Sequence, residues 1–326
     1  PPDTDAAMAA DPPGWFRDDR SGLTMPAHAA ALLDGGAAFL TRAFRSSGAL
    51  DERHIVSRIT AMAFCAGGST GAKFRLDVEF DPPRPVRDSA LFVKFSRDFD
   101  DPLRDQGREQ MAQEVRFAQL SREADFPIAV PACWFAGYHA ESGSGLLITA
   151  RIPFGADGIE AQHAKCRDDE LPDALDHYHA IISALARLAA RYRAATLPAD
   201  YARAFPFGFE AQSTQVRAPY TAAQLASRVT RYTEFAAACP ALLPERLRTP
   251  GFIARLQREV PLWAEAIPQI EAALRADHEA VALCHWNANV DNAWFWRDGD
   301  GDGALRCGLL DWGCASQMHV AMAIWG

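Results

Sequence analysis

Two oxygen-bearing residues, Asn292 and Asp311, stand at the two ends of a segment suited to bringing them together. Between them, Ala293-Trp294-Phe295-Trp296 and residues 304–310 flank a run of alternating Asp and Gly, whose glycines supply the positive φ that a hairpin turn needs. A hairpin returns its ends to each other, so the Asn292 carbonyl and the Asp311 carboxylate are expected within a few ångströms. Such a pair of hard oxygen ligands suits Mg²⁺. Within the turn, Asp298, Asp300, Asp302 and Gly303 imitate the start of a calcium loop. Its twelfth position falls on Leu309, where a bidentate glutamate is required, so the segment reads as a solvated turn.

A second group lies earlier. Gly67-Gly68-Ser69-Thr70-Gly71 separates a strand-like stretch at 54–66 from Phe74, Leu76, Val78 and Phe80, which alternate with charged residues as a half-buried strand does. Glycines there would let backbone amides approach phosphate oxygens. The match to Gly-x-Ser-x-Gly also raises a serine hydrolase with Ser69 as nucleophile, but that chemistry needs a helix after the turn and a strand follows. Lys94 lies beside Phe92 in the apolar strand 90–95 and needs an anion, either phosphate or carboxylate. Glu114, on the helix expected over 104–120, is the natural partner. Glu109 lies five residues earlier, roughly 140° around the helix, so both cannot face Lys94.

The run His285-x-Asn287-x-Asn289-x-Asp291-Asn292, followed by a hairpin and Asp311-Trp312-Gly313, resembles the aminoglycoside phosphotransferase and choline kinase family, relatives of the protein kinases. In that family the loop's Asp is the catalytic base, and the Asn and later Asp hold magnesium. The resemblance implies that Asn292 and Asp311 are metal ligands. It further implies that Lys94 and Glu114 position the nucleotide phosphates beneath the glycine loop, Gly67 to Gly71. The base position here is Asn287, and the second His common in these kinases is Asn289. An amide takes up no proton at neutral pH. Two readings therefore stay open: an ATP- or GTP- and Mg²⁺-dependent phosphotransferase, slow or atypical, acting on a hydroxyl of a small molecule; or a nucleotide-binding pseudokinase without turnover. Asp291 is the substitute base to weigh, and His285 reads as a structural histidine bonding the loop and its metal aspartate.

The elements required around these residues follow the same plan. The fold class implied is α+β: a two-lobed protein-kinase-like domain with an antiparallel-sheet N-lobe and a mainly helical C-lobe. Residues 1–25 are expected to be disordered, 26–47 to form a leading helix, 48–150 the N-lobe and 151–326 the C-lobe. Strands are expected at 127–137 and 145–150. A long amphipathic helix over 173–192 would bury Leu175, Tyr178, Ile182, Leu185 and Leu188. Family members continue with further helices after the metal aspartate, so the C-lobe is expected to be truncated at residue 326.

Composition sets the outer bounds. The chain has 326 residues, 49% hydrophobic and 23% charged, as for an ordinary globular protein. A net charge of −9 argues against a broad nucleic-acid surface. Seven cysteines without Cys-x-x-Cys spacing fit reduced thiols in a cytoplasm better than a disulfide framework. No apolar run approaches the length of a membrane span.

Overall fold

A computed structural model of the chain describes residues 12–67, 71–123, 125–195, 197, 203–205, 220–299 and 303–325. The chain is α+β, with an antiparallel sheet in its N-terminal part and helices dominating later. It divides into two compact units, one of Pro1–Phe207 with Ala282–Gly326 and one of Gly208–Val281. The lobe boundary expected at 150/151 lies inside the first of these units. The N-terminal sheet and the Asn292–Asp311 hairpin belong to the same one, because the core around Phe117 continues into Leu283, Leu309 and Trp312.

The sheet has five strands: β3 (Ile55–Cys65), β4 (Gly71–Asp81), β5 (Ala90–Ser96), β6 (Cys133–His139) and β7 (Ser144–Ala150), in the order β3-β4-β5-β7-β6. β5 is central and buried on both faces. Leu91, Val93 and Phe95 enter a core with Phe39, Leu40 and Phe44 of helix α1 (Ala29–Ser46). Lys94 points to the other face, which carries α2 (Arg108–Leu120). α1 starts where His28 Nδ1 accepts the Ala31 N–H (3.2 Å), and it kinks at Gly36, which adopts φ 54°. A β-carbon on Gly71 would sit 1.9 Å from the Phe95 carbonyl oxygen, so only glycine lets β4 begin so close to β5.

Three expectations need correction. Disorder was expected through residue 25, but β1 (Trp15–Arg17) and β2 (Thr24–Pro26) form an antiparallel ribbon. The buried Asp18 ties it to the sheet by accepting the Tyr138 N–H (2.8 Å) and the Ser21 hydroxyl (2.6 Å). The Pro- and Ala-rich composition that suggested disorder ends before Trp15, and residues 1–11 lie outside the described residues. The strand expected over 127–137 begins only at Cys133; Ala129 instead bridges Gly308 of the distant hairpin. In α3 (Ala174–Arg193) the buried stripe is His177, Ala180, Ile181, Ala184, Leu185 and Leu188. Leu175 and Ile182 are exposed, because two small alanines and a histidine, not the largest apolar residues, mark the face that packs.

The second unit holds α4 (Ala222–Ala238) and α5 (Pro250–Ala276). α4 opens with a capping box: Thr221 accepts the Gln224 N–H (3.2 Å), and Gln224 accepts the Thr221 N–H (2.9 Å). α5 starts on a Thr249 cap with Pro250 in its first turn, where no N–H is needed. Tyr232 joins the two helices, donating its hydroxyl to the Leu247 carbonyl (2.7 Å) and packing near Phe252.

β8 (Val281–His285), which belongs to the first unit from Ala282 onward, pairs with β11 (Ala315–His319). β9 (Ala293–Arg297) pairs with β10 (Leu305–Leu309) in the expected hairpin, from Ala293 opposite Leu309 to Arg297 opposite Leu305. The turn residues 300–302 lie outside the described residues.

Candidate active site

The hairpin closes at the Asn292 end: the Leu310 N–H donates to the Asn292 carbonyl (2.9 Å), and Asp311 follows directly. Asp311 adopts φ 64°, ψ 60°, a left-handed conformation that costs a residue other than glycine on the order of 1 kcal/mol or more. Packing enforces it. Trp312 stacks on Phe117 of α2 (centroids 3.6 Å, planes 8° apart) and donates its indole N–H to the Leu309 carbonyl (3.0 Å). The turn that presents Asp311 is thus bolted to the helix that carries Glu114.

Lys94 is the hub. Its side chain is 2% exposed; Nζ donates to Asp311 (3.1 Å) and to Glu114 in a very short contact. Burial alone would lower the Lys94 pKa, but the Asp311 and Glu114 carboxylates hold it above its ordinary value. Lys94 in turn pulls Asp311 down to about 2. Burial raises Glu114, against the opposing pull of Lys94. Glu109, the alternative partner, faces outward and pairs with Arg116 (3.8 Å).

Sequence reasoning missed one member of this cluster. Lys73 lies directly opposite Lys94 in the β4–β5 register, so the two side chains share a face of the sheet. Burial and then the Lys94 charge lower its pKa, while Asp311 and Glu114 oppose the shift. The available signal was the alternation in β4, which puts Lys73 and Asp77 on one face; strand pairing alone aligns that face with Lys94. Two ammonium groups and two carboxylates therefore meet just past the glycine turn. Gly67 (φ 98°) and Gly71 bracket that turn, and Gly68, Ser69 and Thr70 lie outside the described residues. β4 begins at Gly71, so the element after the turn is a strand and not the helix a serine nucleophile requires.

The loop 285–292 is braced by amides. Neutral His285, fully buried, donates Nε2–H to the Leu310 carbonyl (2.9 Å) while Nδ1 accepts the Asn287 N–H (3.1 Å). Burial lowers its pKa. Its link to Asp311 thus runs through the preceding Leu310 carbonyl. The Asn287 carbonyl accepts from Asn292 Nδ2 (2.9 Å), which leaves the Asn292 side-chain oxygen as its metal-capable atom. Asn287 Oδ1 accepts from Asn289 Nδ2 (3.1 Å), so its side chain is held in an amide–amide pair. The Asp291 charge is felt at Tyr178 of α3, whose hydroxyl pKa is raised by burial, by a hydrogen bond with Asp168, and by the Asp168 and Asp291 carboxylates.

Burial pushes the Cys133, Cys284 and Cys307 thiols up to about 12, far from thiolate.

No protein-family model matches the sequence, and no curated protein matches it. Among solved structures, the chain is similar to choline kinase from Cryptosporidium parvum Iowa II, with 11% identity, a TM-score of 0.38, and coverage of 81% of this chain and 61% of that one. It is also similar to a thermostable mutant of an aminoglycoside phosphotransferase in ternary complex with ADP and hygromycin B, with 15% identity, a TM-score of 0.37, and coverage of 81% and 70%. The chain spans less than two thirds of the length of the choline kinase it matches.

Proposed function

We propose that this chain binds a nucleoside triphosphate with Mg²⁺ and belongs to the phosphotransferases that act on a hydroxyl of a small molecule. The observation that supports this most directly is Lys94, buried yet bridging Glu114 and Asp311 at the mouth of the Asn292 hairpin. A buried cation fixed by one helical carboxylate and one loop carboxylate is what orienting phosphates requires. Lys73 on the same face adds a second cation for them.

The metal fits the residues present. Asp311 is held ionised, and Asn292 offers a carbonyl oxygen because its nitrogen is engaged; both are hard donors suited to Mg²⁺. When bound, Mg²⁺ would neutralise charge on the phosphates. The chain's own part is positional: Lys94 and Lys73 attract the phosphates, Glu114 keeps Lys94 oriented, and His285 holds the two metal-bearing segments together. Asn287 leaves the proton of the acceptor hydroxyl without a base, which typically removes about 10²–10⁴-fold in rate. The pseudokinase reading has its own support in that same residue, since the Asn287 amide is already committed to Asn289.

Thermal unfolding with ATP or GTP, with and without Mg²⁺, tests the nucleotide site. Asp311→Ala should abolish the Mg²⁺-dependent part of the shift, and Lys94→Ala should weaken the nucleotide-dependent part. No shift at millimolar MgATP or MgGTP would end the proposal. Turnover is a separate question. Asn287→Asp should create or raise nucleotide consumption with a hydroxylated acceptor, and Asp291→Asn should leave it unchanged. Loss of activity in Asp291→Asn alone would make Asp291 the base.

A further inference from the structure

Away from the phosphate cluster, Glu160, His163 and His177 bring one oxygen and two nitrogens together, with all three donor atoms within 4.8 Å of one another. His177 Nε2 lies 2.9 Å and His163 Nε2 3.2 Å from the same Glu160 oxygen. Zinc bonds of about 2.0–2.1 Å at tetrahedral angles put neighbouring donors roughly 3.3 Å apart, close to both values.

The support around the donors has the form that metal sites use. His177 is buried, and its other nitrogen, Nδ1, lies 3.2 Å from the Asp173 carbonyl. That carbonyl can only accept, so it fixes the proton on Nδ1 and turns the Nε2 lone pair toward Glu160. A lone pair facing a carboxylate is repulsive unless a cation lies between them. A single divalent ion placed among them would face all three donors at once. Phe295 forms an apolar wall, its ring 4.6 Å from His177 and 5.5 Å from His163. The chain on either side is fixed: the Glu160 N–H donates to the Phe295 carbonyl (2.9 Å), and Ile159 bridges Trp296.

We propose that Glu160, His163 and His177 bind one zinc-class divalent transition metal ion, which clips the segment 155–163 and helix α3 onto strand β9. Two imidazoles with one carboxylate select zinc and its late first-row neighbours over Mg²⁺ or Ca²⁺, which prefer all-oxygen sites. Glu160 and His163 keep side-chain exposures of 32% and 21%, which leaves a fourth position open to solvent. β9 begins immediately after Asn292, so the clip would brace the strand behind the phosphate cluster without sharing a ligand with it. The proposal does not depend on the reading of that cluster.

The test uses the full chain, free of affinity tags and stripped with a chelator. Zn²⁺ binding is followed by calorimetry, Co²⁺ by its visible absorption, and both by thermal unfolding. The expected result is one ion per chain, a raised melting temperature, cobalt bands of a four- or five-coordinate site, and no competition from excess Mg²⁺. Because His177 is buried and its replacement can disturb folding, the deciding variants are the partly exposed His163→Ala and Glu160→Gln. With far-UV circular dichroism unchanged, each should weaken Zn²⁺ binding by at least about 100-fold, beyond the 10–100-fold typical of an outer-shell change. Zn²⁺ binding of unchanged stoichiometry and affinity in both variants would place the metal elsewhere. Absence of binding at millimolar Zn²⁺ would reduce the three residues to a hydrogen-bonded network. Either result overturns the proposal.

Discussion

At the scale of single residues, the chain concentrates its risk in Lys94. A buried ammonium is tolerable only while its carboxylates remain, and removing one partner of a buried pair costs about 3–5 kcal/mol. Asp311 still compensates when Glu114 is lost, so Glu114→Ala should sit at the low end, about 3 kcal/mol, by urea unfolding. Lys94→Met combined with Glu114→Leu removes that pair and its desolvation but leaves Asp311 without its main cation, so it should recover only part of the loss. A single variant as stable as the parent would mean the pair is solvated. His285 makes a prediction of opposite character. Its folded pKa lies below the ordinary 6.5, so beneath that pH the unfolded chain binds the proton first. Stability should be full above about pH 6.5 and decline as pH falls toward the folded pKa. His285→Gln should lose that part of the slope; identical slopes in variant and parent would show that another group titrates.

At the scale of elements, strand and helix register decides which chemistry is presented. β5 can carry Lys94 inward because it is central, with β4 and β7 satisfying its backbone on both sides. The close approach at the start of β4 depends on Gly71. A methyl group 1.9 Å from the Phe95 carbonyl cannot be accommodated without moving backbone, so Gly71→Ala should destabilise by about 1–3 kcal/mol. It should also weaken any nucleotide-dependent thermal shift, since Lys73 sits two residues beyond. A Gly71→Ala protein with parental stability would contradict the β4–β5 pairing. The hairpin shows the same constraint at Gly308, where a β-carbon would fall 2.1 Å from the Trp294 ring.

At the scale of the whole molecule, burial is distributed unevenly. α1 buries Leu32, Phe39, Leu40 and Phe44, whereas among the described residues α4 buries Ala236 alone. In the second unit Leu242, Leu262 and Trp263 are exposed by 71%, 57% and 64%. Local opening costs least where few apolar contacts must be broken. Amide hydrogen exchange followed by mass spectrometry should therefore show α4 and α5 exchanging well before α1, α3 and β5. Uniform protection across both units would refute that ordering. In neither unit is any described helix long and apolar enough to cross a membrane.

What the sequence determined by itself was local. The alternation of β4, the Asp-Gly turn between β9 and β10, and the helical arithmetic choosing Glu114 over Glu109 all depend on neighbours a few positions apart. Backbone geometry makes such relations readable. Even there the reading of α3 slipped, because it followed the largest apolar side chains, while the packed face is set by what lies opposite. Tertiary structure decided everything that joins distant positions. Lys94 meets Asp311 across 217 residues, and Lys73 faces Lys94 only through strand pairing. Glu160 and His177, 17 residues apart in a stretch with no periodic signal, meet because a bridge to Trp296 and the winding of α3 bring them to one wall of Phe295. Pairing register and packing angle belong to the assembled chain, and no run of neighbouring residues carries them.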